Sequence, residues 1–264
     1  MQVHGKTPIT YYGGKQSMLR DILPLIPEHQ IYVEPFFGGG AVFWAKEPTK
    51  CEVINDVNGN IVNFYEVLKH NFFSLREKIE STLHSRDIYK KALVVYDLPW
   101  LFDRTVRAWA FWVVTNQGFA SKIGTWGYDR SKRAHNIAAK VEAFKEDLSD
   151  RLRYTQVENN RASKVIMSRD TPETFIYADP PYIDTDQGHY GGYGEQHFKE
   201  DLEALSKVEG KFLLSSFRSE ILDRYIKRYK WHTKQVVKMS SASNGAKADR
   251  SKKKVEILMA NYPI

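Results

Sequence analysis

The chain of 264 residues has one cysteine, Cys51. A lone cysteine excludes an internal disulfide and a cysteine-rich zinc site. Its eight histidines lack ligand spacing and no H-E-x-x-H occurs, so no metal is expected. No apolar run approaches the ~20 residues that a membrane span needs. Met1 to Thr10 carries no hydrophobic signal core. The expectation is a soluble protein of the cytoplasm. The chain has little acid relative to base, 32 Asp and Glu against 39 Lys and Arg, for a net charge of +7. Such an excess suits a polyanionic partner. With 42% apolar residues the chain has enough to bury a core, which argues against general disorder. Aromatics at 13% suit that core, and also suit stacking on bases.

The organisation follows from local patterns. Met18, Ile22 and Leu25 predict a helix that Pro27 ends. Ile31-Tyr32-Val33 reads as a strand opening into Glu34-Pro35-Phe36-Phe37-Gly38-Gly39-Gly40, with a helix start at Ala41. Glu52 to Asp56 is a second strand ending in an acid, and Ile61, Phe64, Tyr65 and Leu68 fit the next helix. Strand, glycine turn, helix, strand and acid make a βαβ unit and a parallel sheet. From 69 to 157 the pattern turns helical, with segments at Arg104–Thr115 and Ala138–Leu152. Between them Gly118 to Arg133 is rich in glycine, basic residues and aromatics, and reads as a hairpin or exposed loop. After about 158 the βαβ style returns, with strands at Thr174–Ala178, Lys211–Ser215 and Val255–Ala260 and a helix at Phe198–Val208. The predicted class is α/β, one sheet domain (1–68 and 158–264) split by an insert (69–157).

Two turns carry chemistry. Asp179-Pro180-Pro181-Tyr182 follows an apolar strand. Two prolines remove two backbone donors, so the chain must leave the sheet there in a rigid extended turn. Ligands of open α/β sheets bind outside the carboxyl ends of the strands. The turn therefore offers a carboxylate, the Pro180 carbonyl and an aromatic ring at that edge. An exocyclic amine such as adenine N6 has two N–H donors that Asp179 and the Pro180 carbonyl can accept. Tyr182 can stack on the flat ring, worth about 1–3 kcal/mol for a base. The second turn is Glu34 to Gly40, where glycines let a ligand approach the backbone. Asp56, 18 residues past Gly38, suits ribose hydroxyls. A dinucleotide fingerprint needs a third glycine where Phe43 stands.

Taken in order, Tyr11-Tyr12-Gly13-Gly14-Lys15, Val33 to Gly40, Asn55-Asp56 and Asp179-Pro180-Pro181-Tyr182 resemble the Dam-type DNA adenine-N6 methyltransferases of phage and orphan bacterial type. The resemblance covers nearly the whole chain. It implies a Rossmann-like S-adenosylmethionine methyltransferase sheet with an inserted, mostly helical target-recognition domain carrying a hairpin. It implies cofactor contacts from Tyr11, Lys15, Glu34, Phe36, Gly38, Asp56 and Asp179, and catalysis by Asp179, Pro180, Pro181 and Tyr182. The implied reaction is direct methylation of a flipped adenine in duplex DNA, without a covalent intermediate or metal. A cognate restriction nuclease is a partner that this resemblance admits. Tyr12 stands where the family often has a small residue, so either Tyr11 or Tyr12 is open as the aromatic that faces the cofactor. The insert lacks the hairpin sequence of GATC-specific members and has Asn116 to Tyr128 in its place. Asn116, Gln117, Lys122 and Arg130 are candidate base or phosphate contacts, and Phe119, Trp126 and Tyr128 candidate wedges. Lys247, Arg250 and Lys252, in a polar basic stretch, are candidate phosphate contacts. The post-catalytic stretch Asp184–Gly194, with His189 and Tyr190, is a candidate lid over the flipped base. The rival readings are a cytosine-N4 methyltransferase, a protein-glutamine or RNA methyltransferase, a non-catalytic DNA-binding module and, most distantly, a NAD-dependent oxidoreductase.

Overall fold

A computed structural model describes residues 6–119, 122–128, 137–182, 192–238 and 254–264. The β-rich runs form β1 (Ile31–Glu34), β2 (Cys51–Asn55), β3 (Thr155–Glu158), β4 (Thr174–Ala178), β5 (Lys211–Ser216), β6 (His232–Lys238) and β7 (Lys254–Ala260). They join one sheet in the order β3-β2-β1-β4-β5-β7-β6. The pairs from β3 to β5 are parallel. β7 runs antiparallel between β5 and β6. From β1 the chain steps outward to β2 and β3, and from β4 it steps the other way to β5. The carboxyl ends of β1 and β4 therefore flank a topological switch point, where such sheets open a crevice.

Strand alternation divides the core into two layers. Tyr32, Phe175, Tyr177, Leu213 and Leu258 face one apolar cluster, and Val33, Ile176, Leu214, Ile257 and Met259 face the other. The second layer is covered by α9 (Ala162–Arg169), α10 (Glu195–Leu205) and α11 (Glu220–Tyr229). The first layer is covered by α1 (Leu19–Ile22), α2 (Ala41–Ala45), α3 (Gly59–His70) and the helices within residues 69–157. Those are α4 (Phe72–Glu80), α5 (Arg86–Asp97), α6 (Arg104–Asn116), α7 (Ile137–Glu142) and α8 (Asp147–Leu152). Phe72, Phe111 and Phe144 of this region belong to the same continuous cluster as Tyr32 of the sheet. Asp103 starts α6 by accepting the N–H groups of Thr105 and Val106 at 2.9 and 3.0 Å, an N-cap that satisfies orphan donors.

Several elements differ from the sequence expectation. The helix expected to run to Pro27 is only one α-turn, flanked by 3₁₀ turns at Gln16–Met18 and Leu23–Leu25. Pro24 has no N–H to continue the ladder. The helix expected over Ala138–Leu152 breaks between α7 and α8. There Phe144 drops into the core and stacks on Phe72 at 5.6 Å and 8°. β3 starts at Thr155, inside the range read as the insert, and pairs with β2. β6, α4, α5, α9 and α11 go beyond the elements that the sequence patterns predict. Among the described residues no helix is long and apolar enough to cross a membrane.

Candidate active site

The glycine turn after β1 is built by backbone geometry. Phe37 N–H bonds to Asn55 O at 2.9 Å and Gly40 N–H returns to Phe37 O at 2.6 Å. Gly40 has φ +64°, and a Cβ there would lie 2.3 Å from the Phe37 ring. Only glycine meets both demands. Gly38, at φ +48°, donates its N–H to Asp56 Oδ2 at 2.9 Å, and Asn58 N–H donates to Oδ1 at 2.9 Å. Burial pushes the Asp56 carboxyl up to about 6, against the pull of these two bonds. Asn55 ties the neighbouring strand ends together. Its Nδ2 donates to Pro35 O (2.8 Å) and Asn160 O (3.0 Å), and its Oδ1 accepts Asn160 N–H (2.9 Å).

A cavity of about 500 Å³ opens at the switch point, the size of a small-molecule site. Four of the candidate site residues, Phe36, Asp56, Asp179 and Pro181, line it. Its wall also contains Asn160, Arg161 and Ser163 around the start of α9, Tyr193 before α10, and His197 and Asp201 on the first two turns of α10. These were not read from sequence. Tyr193 donates to Asp201 Oδ2 at 2.8 Å and meets Phe36 edge-on at 6.1 Å. Burial pushes the Asp201 carboxyl up to about 7.

At the other end of the wall stands a charged cluster. Lys15 Nζ lies 2.7 Å from each carboxylate oxygen of Asp179 and 3.3 Å from Glu256 Oε1. It also stands 5.0 Å from the centre of the Tyr182 ring. The Tyr182 hydroxyl bonds to Glu256 and lies 3.3 Å from Ser215 Oγ. Its ring packs on Phe217 at 4.4 Å. Pro180 is buried. Strand alternation explains the cluster. Asp179 follows Tyr177 by two, Ser215 follows Leu213 by two and Glu256 precedes Leu258 by two, so all three continue one face of the sheet past the apolar layer. Glu256 is wholly buried. It was missed, although one acid in the apolar run Val255–Ala260 is a legible signal.

Other expected contacts sit elsewhere. Tyr11 is buried with its ring 6.2 Å from Phe111. The partly exposed Tyr12 lies under Lys122 Nζ at 5.6 Å. Glu34 points into the interior, where Tyr32 donates to it at 2.6 Å. Burial pushes the Glu34 carboxyl up to about 8. Neither Tyr11 nor Glu34 belongs to the described wall of the cavity.

Within the stretch read as a hairpin or exposed loop, Gly118 and Trp126 form an isolated antiparallel bridge. Asn116 and Gln117 are corrections. Both are buried. Asn116 Oδ1 accepts from Thr10 N–H and hydroxyl at 3.2 and 3.0 Å, and Gln117 Nε2 donates to Leu83 O at 3.1 Å. They hold the hairpin to the body and present no edge to a base. Trp126 is packed between His84 (5.1 Å) and Tyr128 (5.7 Å), with the Arg86 guanidinium 4.8 Å over it. Tyr128 and Phe119 are exposed. Arg130, His189, Tyr190, Lys247, Arg250 and Lys252 lie outside the described residues.

An open α/β sheet with a glycine turn, a buried acid at the next strand end and a proline-locked carboxylate on one cavity defines a site for a nucleoside-type cofactor and a transferred group. A family profile for the D12 class N6 adenine-specific DNA methyltransferases matches residues 11–239, and the chain belongs to that family. It is 28% identical to the type II methyltransferase M1.LlaDCHI of Lactococcus lactis subsp. cremoris, over 95% of this chain and 93% of that one. It is 23% identical to the DNA adenine methylase of Escherichia coli strain K12, over 96% and 94%. Half of the chain matches 19% of the DNA N-6-adenine-methyltransferase of Escherichia phage P1 at 28% identity. The protein is an adenine-specific DNA methyltransferase, and its family implies S-adenosylmethionine as methyl donor.

Proposed function

We propose that the cavity holds S-adenosylmethionine between Asp56 and Asp179, and that the Asp179 turn receives an adenine flipped from duplex DNA. The single observation that supports this most is that Asp56 and Asp179, from the ends of β2 and β4, share one cavity wall. The donor set fits the group. Asp56 keeps a lone pair beyond those used by the backbone N–H groups of Gly38, Val57 and Asn58, and this suits a ribose hydroxyl. Phe36 supplies an apolar wall. When bound, S-adenosylmethionine supplies an electrophilic methyl group. Asp179 accepts one N–H of the adenine amine and the Pro180 carbonyl accepts the other. Tyr182 offers a ring for the base to stack on. Extrusion of the base costs a few kcal/mol, and binding at the turn offsets it. Lys122, Trp126 and Tyr128 of the hairpin, with Arg130 and the basic stretch of Lys247, Arg250 and Lys252, are proposed to engage the duplex. The separate cofactor-sheet and recognition roles of 1–68 with 158–264 and of 69–157 belong to the same proposal. So do action in the cytoplasm and pairing with a restriction nuclease.

Incubation of duplex DNA with the protein and S-adenosylmethionine, then nucleoside analysis, is expected to yield N6-methyladenine. N4-methylcytosine instead, or no methylated base, contradicts the assignment. The Asp56 role has its own signature in pH. Ribose hydroxyls donate to an ionised carboxylate, so affinity is full above a pKa of about 6 and is lost below it. Calorimetry should show affinity for S-adenosylmethionine falling about tenfold per unit below that pKa. Asp56→Asn should bind more weakly and with little dependence on pH across the same range. If that variant titrates like the parent, Asp56 is removed from the site.

A further inference from the structure

We propose that Glu256 is a positioning residue for methyl transfer, acting by sharing the Lys15 ammonium with Asp179 and by fixing the Tyr182 hydroxyl. This rests on the methyl-transfer reading above. Glu256 sits near the start of β7, just beyond the last β5–β7 pair, Ser216 with Ile257. Its side chain is wholly buried and the Lys15 side chain nearly so, while that of Asp179 is 18% exposed. The exposed member is thus the one that lines the cavity.

The shared ammonium gives Glu256 its role. An ammonium 2.7 Å from both carboxylate oxygens of Asp179 holds their electron density back. Glu256, whose own carboxyl is pushed up by burial, stands 3.3 Å from the same ammonium and takes part of its charge. The oxygens of Asp179 are thereby freer toward the adenine amine, which becomes positive as it gains a methyl group. Fixed charge placed for a developing charge is worth most in a site shielded from water. Glu256 also orders the turn. It accepts the Tyr182 hydroxyl, which holds the ring edge inward while Phe217 and Lys15 flank it. Tyr182 is thereby held in one orientation before a base arrives, and a preformed platform costs less to occupy. Glu256 is not part of the described cavity wall, so it acts through Lys15 and Tyr182.

Two variants separate charge from shape. Glu256→Gln keeps the volume and an oxygen for Tyr182 but removes the negative charge. Glu256→Asp keeps the charge on a shorter stem. The expected result for Glu256→Gln is a kcat lower by roughly ten- to a hundredfold. Its S-adenosylmethionine Kd and its KM for DNA should stay within about twofold of the parent, since no ligand contact is lost. Glu256→Asp should recover part of the kcat. Glu256→Gln with parental kcat overturns the role. So does a loss of cofactor affinity that matches the loss in kcat, because Glu256 then serves the cofactor cavity. Equal losses in both variants, accompanied by equally lowered melting temperatures, mark a purely structural residue and overturn it too. The parent protein is the control: if it makes no N6-methyladenine, the functional reading itself fails and Glu256 has no reaction to serve.

Discussion

Asp179→Asn is expected to lower kcat by at least about a hundredfold, the scale of losing one aimed electrostatic group. The amide has nearly the size of the carboxylate, so the turn should hold its shape. One of its two terminal atoms becomes an NH₂ donor that Lys15 repels, and the other offers only a neutral acceptor to the adenine amine. Lys15, 2.7 Å from both oxygens in the parent, then pairs with Glu256 alone. Cofactor affinity should change far less than kcat, because Asp56 and Phe36 lie on other parts of the wall. Single-turnover transfer of tritiated methyl to duplex DNA measures this effect apart from product release. A variant with parental turnover would remove Asp179 from the reaction.

Lys15→Met is expected to have the second largest effect, on activity and stability together. The side chain is 4% exposed and holds Asp179 and Glu256. Without the ammonium, two carboxylates face each other at a buried strand edge, and one must take up a proton. Removing one partner from a buried ionic cluster costs about 3–5 kcal/mol, which denaturant unfolding would detect. Turnover should fall roughly a hundred- to a thousandfold. A Lys15→Met protein with parental stability and parental turnover would contradict the cluster's role.

The sequence made the ligand end of the sheet legible because its devices are local. Two prolines after an apolar strand force the chain out of the ladder whatever surrounds them. The glycines before α2 announce a turn in the same way, and Gly40 meets Phe37 only three residues away. Glu256 lies 77 residues from Asp179 and reaches it only through the antiparallel insertion of β7 beside β5. No local spacing reports that pairing. The start of α9 escaped for a different reason. Ala162–Arg169 is a short helix in which Ser163, Lys164 and Ser168 interrupt the apolar period. Asn116 and Gln117 were misjudged because amide side chains serve equally as base readers and as clamps on backbone. Burial against Thr10 and Leu83 decides between these uses, and burial is a property of the fold. Similarly, Glu34 follows a strand at the ligand edge but its parity is that of Tyr32, and the side chain turns inward to that hydroxyl.

The most direct test is a crystal structure of the protein with S-adenosylhomocysteine, the demethylated product. The ribose hydroxyls should lie against the Asp56 carboxylate, and the sulfur on the side of the cavity where Asp179 meets Lys15. Product bound at any other surface, or bound here with its sulfur turned away from Asp179, would contradict a reaction centred on that turn.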